Sequence, residues 1–383
     1  MTNLLRALRR LDSVLLIAAF VLFAFGLAAI FSVELSRGDD FVLIGKQLLA
    51  FGIGTVAFVF IAATNYHMLR NYALALYLVG IAALVGVLLF GRTLNGSTGW
   101  FVVGGFAFQP VEFMKVALGV ALARYFGERA RRRFGWRDLA TSALYTVPPI
   151  ALLMLQPDLG GAAILAGMWV VIVLFAGIRP AQILALVFGA LMLGVIGWTL
   201  MFADYQKDRI SAFLNPELDP LVTGYNVTQA KIAIGAGGLW GRGLGEGSQS
   251  QLRFLPESQT DFVFAVIAEE LGFLGVLVIL TALAILLLRM LRIAQVSRDT
   301  FGAYIAVVAF ALVFVEAAVH IGANLSLIPA TGVALPFVSY GGSSLLLSLV
   351  VLGLVESVAV RLAPGDRLLA DDAVYTRNAT TTL

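Results

Sequence analysis

The chain alternates between long apolar runs and short polar segments. Apolar windows of roughly 18 to 25 residues, the length with which an α-helix crosses a bilayer, recur ten times. They fall near residues 14–31, 41–63, 73–90, 108–126, 141–155, 160–177, 181–203, 262–289, 301–326 and 337–361. This pattern predicts an all-α polytopic membrane protein with about ten transmembrane helices. We expect a single transmembrane domain over residues 1–363 and a flexible cytoplasmic tail over residues 364–383.

Composition supports the membrane assignment and excludes several kinds of site. The chain is 60% hydrophobic and 13% charged, whereas soluble domains are near half apolar and a quarter charged. With no cysteine, disulfides, thiol catalysis and cysteine-based metal sites are excluded. The two histidines, His67 and His320, lie far apart and argue against a histidine-rich metal site. A net charge of +3 gives no indication of nucleic-acid binding.

The basic residues predict the orientation. If the N-terminus is cytoplasmic, the run from Arg124 to Arg137 lies inside, and the short outer loops hold only Arg37 and Arg92. This bias follows the positive-inside rule and places both termini in the cytoplasm. The long segment 204–261, between the seventh and eighth windows, then becomes a large extracellular loop. No small-residue cleavage site follows the first window, so we expect it to be retained as the first span.

Four acidic residues lie where this loop enters the eighth window: Glu257, Asp261, Glu269 and Glu270. Asp261 is at the seam between loop and helix. One interpretation is helix capping, since an acid is favoured at a helix start. The other is a general base that faces a lipid-linked substrate, because capping needs only one acid.

Two polar groups interrupt apolar windows. Glu112 and Lys115 lie three residues apart and share a helix face, and Gln156-Pro157-Asp158 separates the fifth window from the sixth. Ionisable groups within a membrane are costly and pair together or face a cavity. The sequence allows an internal ion pair that fixes packing, or a polar cavity in which Lys115 contacts a phosphate or neutralises Asp158.

Other candidates have an ordinary interpretation and a functional one. The glycines between Gly235 and Gly247 indicate either a flexible loop or exposed amides near a diphosphate. Trp100 is either an interfacial anchor or a sugar-stacking platform. His320 lies four residues after Glu316, which predicts a buried hydrogen-bonded pair. Residues 329–344 are either loop packing or the rim of a substrate cavity.

Five ordered sequence blocks carry a resemblance to a known family. They are QPVEFMK (109–115), QPDLG (156–160), LPE with TDF (255–257 and 260–262), EELG (269–272), and LPF with SYGGSS (335–337 and 339–344). Together they resemble the SEDS family (shape, elongation, division and sporulation), which includes RodA and FtsW. The resemblance runs from Leu11 to about Arg361. The arginine-flanked start, Asn65-Tyr66 and the short termini are more similar to RodA than to FtsW.

The resemblance implies a glycosyltransferase that polymerises lipid II into peptidoglycan at the outer face of the bacterial cytoplasmic membrane, for cell elongation and shape. It implies as partners a class B penicillin-binding protein, which is a transpeptidase, and other membrane proteins of the elongation complex. The family's essential acid falls on Asp261, its polar cavity on Glu112, Lys115 and Asp158, and its extracellular tryptophan on Trp100. Further candidates for substrate contact are Gln109, Glu257, Arg209, Arg242, Arg253 and Ser343.

This chain departs from the family pattern at four positions: Gly99, Val111, Ala230 and His320. None of these removes a proposed catalytic group, and His320 stands where asparagine is expected. The leaving diphosphate needs positive charge, from Lys115, loop arginines or a divalent cation such as Mg²⁺ or Mn²⁺ bound with it. Two other functions stay open at this point, a lipid II flippase and a non-catalytic scaffold of a wall-synthesis complex.

Overall fold

The fold is a helical bundle with one small sheet. The structure is a computed structural model that describes residues 10–37, 41–94, 97–103, 106–130, 132–202, 207–208, 210–211, 213 and 223–362. Its helices are α1 (Ser13–Arg37), α2 (Val42–Ala63), α3 (His67–Phe90), α4 (Pro110–Arg129), α5 (Trp136–Leu155), α6 (Leu159–Phe175), α7 (Pro180–Ile196), α8 (Thr223–Ala236), α9 (Ser248–Gln251), α10 (Val263–Val296), α11 (Thr300–Asn324) and α12 (Gly342–Ala359). The tail over 364–383 and Arg209 lie outside the described residues.

The polytopic membrane fold is confirmed. Among the described residues, eight helices are long and apolar enough to cross a membrane: α1, α2, α3, α5, α7, α10, α11 and α12. The fourth and sixth windows correspond to α4, which carries Glu112 and Lys115, and to α6, which has 17 residues. Helix α7 ends in a π-helical turn, Gly197–Met201. Helices α8 and α9 lie in the loop between the seventh and eighth windows.

A three-stranded antiparallel sheet between α3 and α4 was not predicted. It comprises β1 (Arg92–Leu94), β2 (Ser97–Val103) and β3 (Phe106–Phe108), in that order. Its register pairs Arg92 with Trp100 and Phe101 with Phe108. β-Branched and aromatic residues favour strands, but this stretch is too short to stand out between two apolar windows.

Helix α11 forms the centre of the bundle. It packs against α4, α6, α10 and α12. Alanines that allow close helix approach are buried on it, among them Ala306, Ala309, Ala311 and Ala317. Small residues at these positions indicate packing within the bundle.

Helix α10 is broken at Gly272, and the glycine-rich loop fills the break. Gly272 has φ 64° and ψ −164°, a conformation that is essentially restricted to glycine. In an unbroken helix the amides of Phe273 and Leu274 would donate to the carbonyls of Glu269 and Glu270. Here those amides donate to the Gly238 and Leu239 carbonyls, at 2.9 and 3.3 Å.

The freed carbonyls of α10 also find partners in the loop. The Arg242 amide donates to the Glu269 carbonyl at 3.0 Å, and the Gly243 amide donates to the Glu270 carbonyl at 2.9 Å. These four backbone groups released by the break are therefore paired again, as a low-dielectric environment requires. The loop amides at this point are consumed by α10, so they are not exposed for a diphosphate.

Candidate active site

Asp261 lies in the turn that leads into α10. Its amide donates to the Glu257 carbonyl at 3.0 Å, and its carbonyl accepts from Asn324 Nδ2 of α11 at 2.9 Å. Asn324 Oδ1 accepts from the Ala265 amide at 3.2 Å, so one buried side chain fixes both sides of the turn. The N-cap of α10 is Phe262. Asp261 therefore lies one residue before the N-cap position that the ordinary interpretation gives it.

Residues 329–344 fix the same turn from the other side. Ser339 Oγ donates to the Thr260 carbonyl at 2.7 Å, and the Tyr340 amide donates to the Gln259 carbonyl at 2.9 Å. Gly332, with φ +69°, brings its backbone close to the carboxylate, because a Cβ there would lie 3.4 Å from Asp261 Oδ2.

A small cavity of about 10 Å³ opens beside the Asp261 side chain. Its walls come from the turn, from α11 and from the 329–344 segment. The lining residues are Asp261, Phe262, His320, Ala323, Ala330, Thr331, Gly332 and Val333. His320 Nδ1 lies 2.8 Å from the Val333 carbonyl. The predicted Glu316–His320 pair is wrong, because Glu316 binds another residue.

That residue is Lys115. Its Nζ lies 2.8 Å from Glu112 Oε1 and 2.7 Å from Glu316 Oε1, and all three side chains are buried. The predicted pairing with Glu112 is confirmed, and the predicted neutralisation of Asp158 is wrong. Asp158 Oδ1 instead caps α6 by accepting from the Gly161 amide at 2.8 Å. One buried ammonium is therefore shared by two buried carboxyl groups.

Helix α11 carries a polar stripe that links these features. Glu316, His320 and Asn324 are spaced four residues apart, about 6 Å per step along the axis. They contact Lys115, the Val333 carbonyl and the Asp261 carbonyl in turn. Sequence reasoning missed Asn324, although polar residues at i, i+4 and i+8 of an apolar helix are a detectable signal.

The remaining acids of the cluster divide into two groups. Glu269 and Glu270 are buried and hold the loop: Glu269 accepts from the Gln249 and Ser250 amides, and Glu270 accepts from Ser250 Oγ. Glu257 is exposed and accepts from Thr260 Oγ1 at 3.2 Å. The structure therefore assigns Glu269 and Glu270 to loop anchoring and leaves the two other acids in the turn.

Two of the arginines that were predicted to contact the substrate, Arg242 and Arg253, lie in the described part of the loop. Both are exposed. Arg253 has φ +60° and Glu257 has φ +50°, and both line a cavity of about 120 Å³ together with Val33, Ser250, Leu255, Pro256 and Ser258. Within the described residues, no group of three acidic or histidine side chains is arranged to hold a metal ion.

The sheet connects three further candidates. Trp100 is half-buried on β2. Gln109 is the N-cap residue of α4, directly after β3. Ser343, at the start of α12, donates through Oγ to the Ala107 carbonyl of β3 at 3.3 Å. The structure thus groups these residues around the sheet and places Asp261, His320 and Asn324 in a separate turn-and-helix cluster.

Comparisons with known proteins find relatives that match almost the whole length of the chain. The model of the FtsW, RodA and SpoVE family, described as cell cycle proteins, matches residues 12–363. Stage V sporulation protein E of Bacillus subtilis (strain 168) is 38% identical over 91% of this chain and 96% of its own. Peptidoglycan glycosyltransferase MrdB of Escherichia coli (strain K12) is 35% identical over 91% and 93%.

A solved structure is similar at the level of the whole fold. It is described as "Structural coordination of polymerization and crosslinking by a peptidoglycan synthase complex". The TM-score is 0.76 and the sequence identity 31%, over 91% of this chain and 97% of that one. The helical bundle therefore belongs to a fold that is already known in three dimensions.

Proposed function

Because the chain belongs to the FtsW, RodA and SpoVE family of cell cycle proteins, we propose that it is a peptidoglycan glycosyltransferase. Its substrate is lipid II, which it polymerises into glycan strands at the outer face of the bacterial cytoplasmic membrane. The relative MrdB carries the name of that activity. The observation that carries the proposal here is Asp261, a carboxylate beside a cavity whose turn is fixed by α11 and by residues 329–344.

Asp261 is the proposed general base. The 4-hydroxyl of the acceptor sugar gives its proton to the Asp261 carboxylate as its oxygen attacks the anomeric carbon of the donor. The new bond joins that oxygen to the anomeric carbon, and the bond from this carbon to undecaprenyl diphosphate breaks. Asn324 and Ser339 hold the backbone of the turn that carries this carboxylate, and a preorganised site needs little rearrangement during the reaction.

We propose that Lys115 balances the charge of Glu112 and Glu316 inside the bundle and does not contact phosphate directly. An ammonium has three N–H donors, and two of them are directed at Glu112 and Glu316. The exposed arginines Arg242 and Arg253, together with Arg209 as predicted from sequence, are better suited to meet a diphosphate. A divalent cation, Mg²⁺ or Mn²⁺, would come with the substrate phosphates, because oxygen-rich ligands of that kind suit these ions.

The partner is proposed to be a class B penicillin-binding protein. The similar solved structure is a complex that coordinates polymerization and crosslinking, and a transpeptidase is the chemistry that would use a new strand. We propose that the chain acts in cell elongation, together with other membrane proteins of the elongation complex. We also propose that its N- and C-termini are cytoplasmic. We expect the complex to polymerise faster than this chain alone.

Polymerisation by purified protein in detergent tests the function. We expect labelled lipid II to give glycan strands when the chain and its transpeptidase partner are mixed without a sealed bilayer. A flippase needs two separate compartments, and a scaffold makes no product in any format. If no strands form in detergent and the chain transfers lipid II across liposome membranes, the polymerase proposal is wrong and the flippase takes its place.

A further inference from the structure

Two buried polar atoms lie beside Asp261 with no protein hydrogen-bond partner among the described residues. They are His320 Nε2 and Thr331 Oγ1. Both residues line the cavity that Asp261 lines. Folded proteins rarely leave buried polar atoms without a partner. Two such atoms around one cavity therefore indicate that a polar ligand belongs there.

The hydrogen-bonding roles of these groups follow from their neighbours. The Val333 carbonyl only accepts, so His320 Nδ1 at 2.8 Å must carry the hydrogen. In a neutral imidazole, Nε2 is then an acceptor. The Asp261 carboxylate also accepts, and the Thr331 hydroxyl has a hydrogen to donate. The cavity thus presents two acceptors and one donor.

The cavity has room for one hydroxyl group. Its volume of about 10 Å³ is roughly that of one water-sized probe. Water fits the roles fully, since it donates to Asp261 and to His320 Nε2 while it accepts from Thr331. A sugar hydroxyl also fits: it accepts from Thr331 and donates its one hydrogen to either base.

We propose that Asp261, His320 and Thr331 form a hydroxyl-binding subsite, filled by water or by the acceptor sugar's hydroxyl. The subsite with a sugar in it rests on the proposed polymerase function, whereas the subsite with water does not. His320 and Thr331 are positioning residues in this arrangement, because they hold the hydroxyl against the Asp261 carboxylate. The histidine replaces the asparagine expected at this position and supplies an aromatic nitrogen acceptor.

Nitrogen NMR of ¹⁵N-histidine protein tests the subsite directly, because the chain has two histidines. His67, which contacts Asn65 outside the site, is assigned with His67→Asn and serves as a reporter of folding. We expect His320 to show a pyrrole-type Nδ1 and a pyridine-type Nε2. A protonated Nε2 in the neutral ring would overturn the proposal.

The His320 Nε2 signal of the Thr331→Val variant shows whether the hydroxyl belongs to water or to the sugar. A shift of the Nε2 signal in lipid-free protein, with His67 unchanged, identifies water. A shift that appears only after lipid II is added, in an Asp261→Asn background that stops turnover, identifies the sugar. No response in either arm overturns the subsite. A response without any strand synthesis by the native chain would keep the subsite and reject the polymerase.

Kinetics provide the second readout. We expect Thr331→Val to lower kcat about three- to tenfold, the scale of one hydrogen bond, with an unchanged KM for lipid II. Thr331→Ser, which keeps the hydroxyl, should restore the rate. His320→Gln, which keeps an acceptor, should be faster than His320→Phe. Full activity of Thr331→Val, or a serine variant as slow as valine, would contradict the proposal.

Discussion

At the scale of single residues, Lys115 shows what a local pattern reveals and what it leaves out. Its pairing with Glu112 could be predicted, since residues three apart share a helix face. Its second partner, Glu316, is 201 positions away along the chain, and no local spacing indicates such a contact. Asp158 was the nearer acid by sequence, but its position before α6 makes it a helix cap.

Removal of Lys115 should destabilise the protein. Lys115→Met leaves two buried carboxylates without their counter-ion, and such breaks cost about 3–5 kcal/mol. We expect a lower melting temperature and lower polymerisation. Lys46→Met, at an exposed position of α2, is the matched control and should change neither.

A second variant separates charge from packing. Adding Glu112→Gln and Glu316→Gln to Lys115→Met removes the uncompensated charge, so the melting temperature should recover. If Lys115→Met melts like the native chain, the buried triad contributes nothing to stability. If only activity is lost, Lys115 contacts substrate directly.

At the scale of elements, the sequence predicts the helices well and their interruptions poorly. Each of the ten apolar windows corresponds to a helix, and eight of these described helices are long and apolar enough to cross a membrane. The sheet over 92–108 was missed because its strands are short. The loop glycines were interpreted as flexible or phosphate-facing, but Gly241 packs against Gly272 of α10: a Cβ on Gly272 would lie 2.2 Å from the Gly241 amide nitrogen. That contact depends on tertiary structure.

Gly272→Ala should detach the loop from α10. The added Cβ meets the Gly241 backbone, and φ 64° is strained for alanine. We expect faster amide exchange over residues 238–243 and loss of polymerisation, because the loop leads directly to the Asp261 turn. Gly52→Ala, where a Cβ meets nothing within 4 Å, is the control. Unchanged exchange at 238–243 would show that the loop does not depend on the break.

At the scale of the whole molecule, orientation connects the fold to its function. The proposed reaction takes place outside the cytoplasmic membrane, so the loop between α7 and α10 must face outward. The bias of arginines predicts this arrangement, although long loops follow the charge rule poorly. Labelling of one residue at each end of the bundle distinguishes this orientation from its inverse.

Cysteine labelling in intact cells measures it without background, since the chain has no cysteine. Trp240→Cys, at an exposed position of the loop, should react with an impermeant maleimide. Arg133→Cys, at an exposed position between α4 and α5, should react only after permeabilisation. The reverse pattern would place the Asp261 turn in the cytoplasm and remove it from the lipid II of the outer leaflet.

The central claim is that Asp261 is the general base of strand synthesis, and Asp261→Asn tests it most directly. The variant keeps the size of the side chain and the backbone contacts to Asn324 and Glu257. Glu246→Gln, an exposed acid of the same loop, is the control. The measurement is polymerisation of labelled lipid II by each purified variant with the transpeptidase partner, alongside melting temperature and lipid II binding. We predict that Asp261→Asn melts and binds as the native chain does, while its rate falls about a hundredfold or more. Strand synthesis by well-folded Asp261→Asn protein at a rate near that of Glu246→Gln would contradict the account.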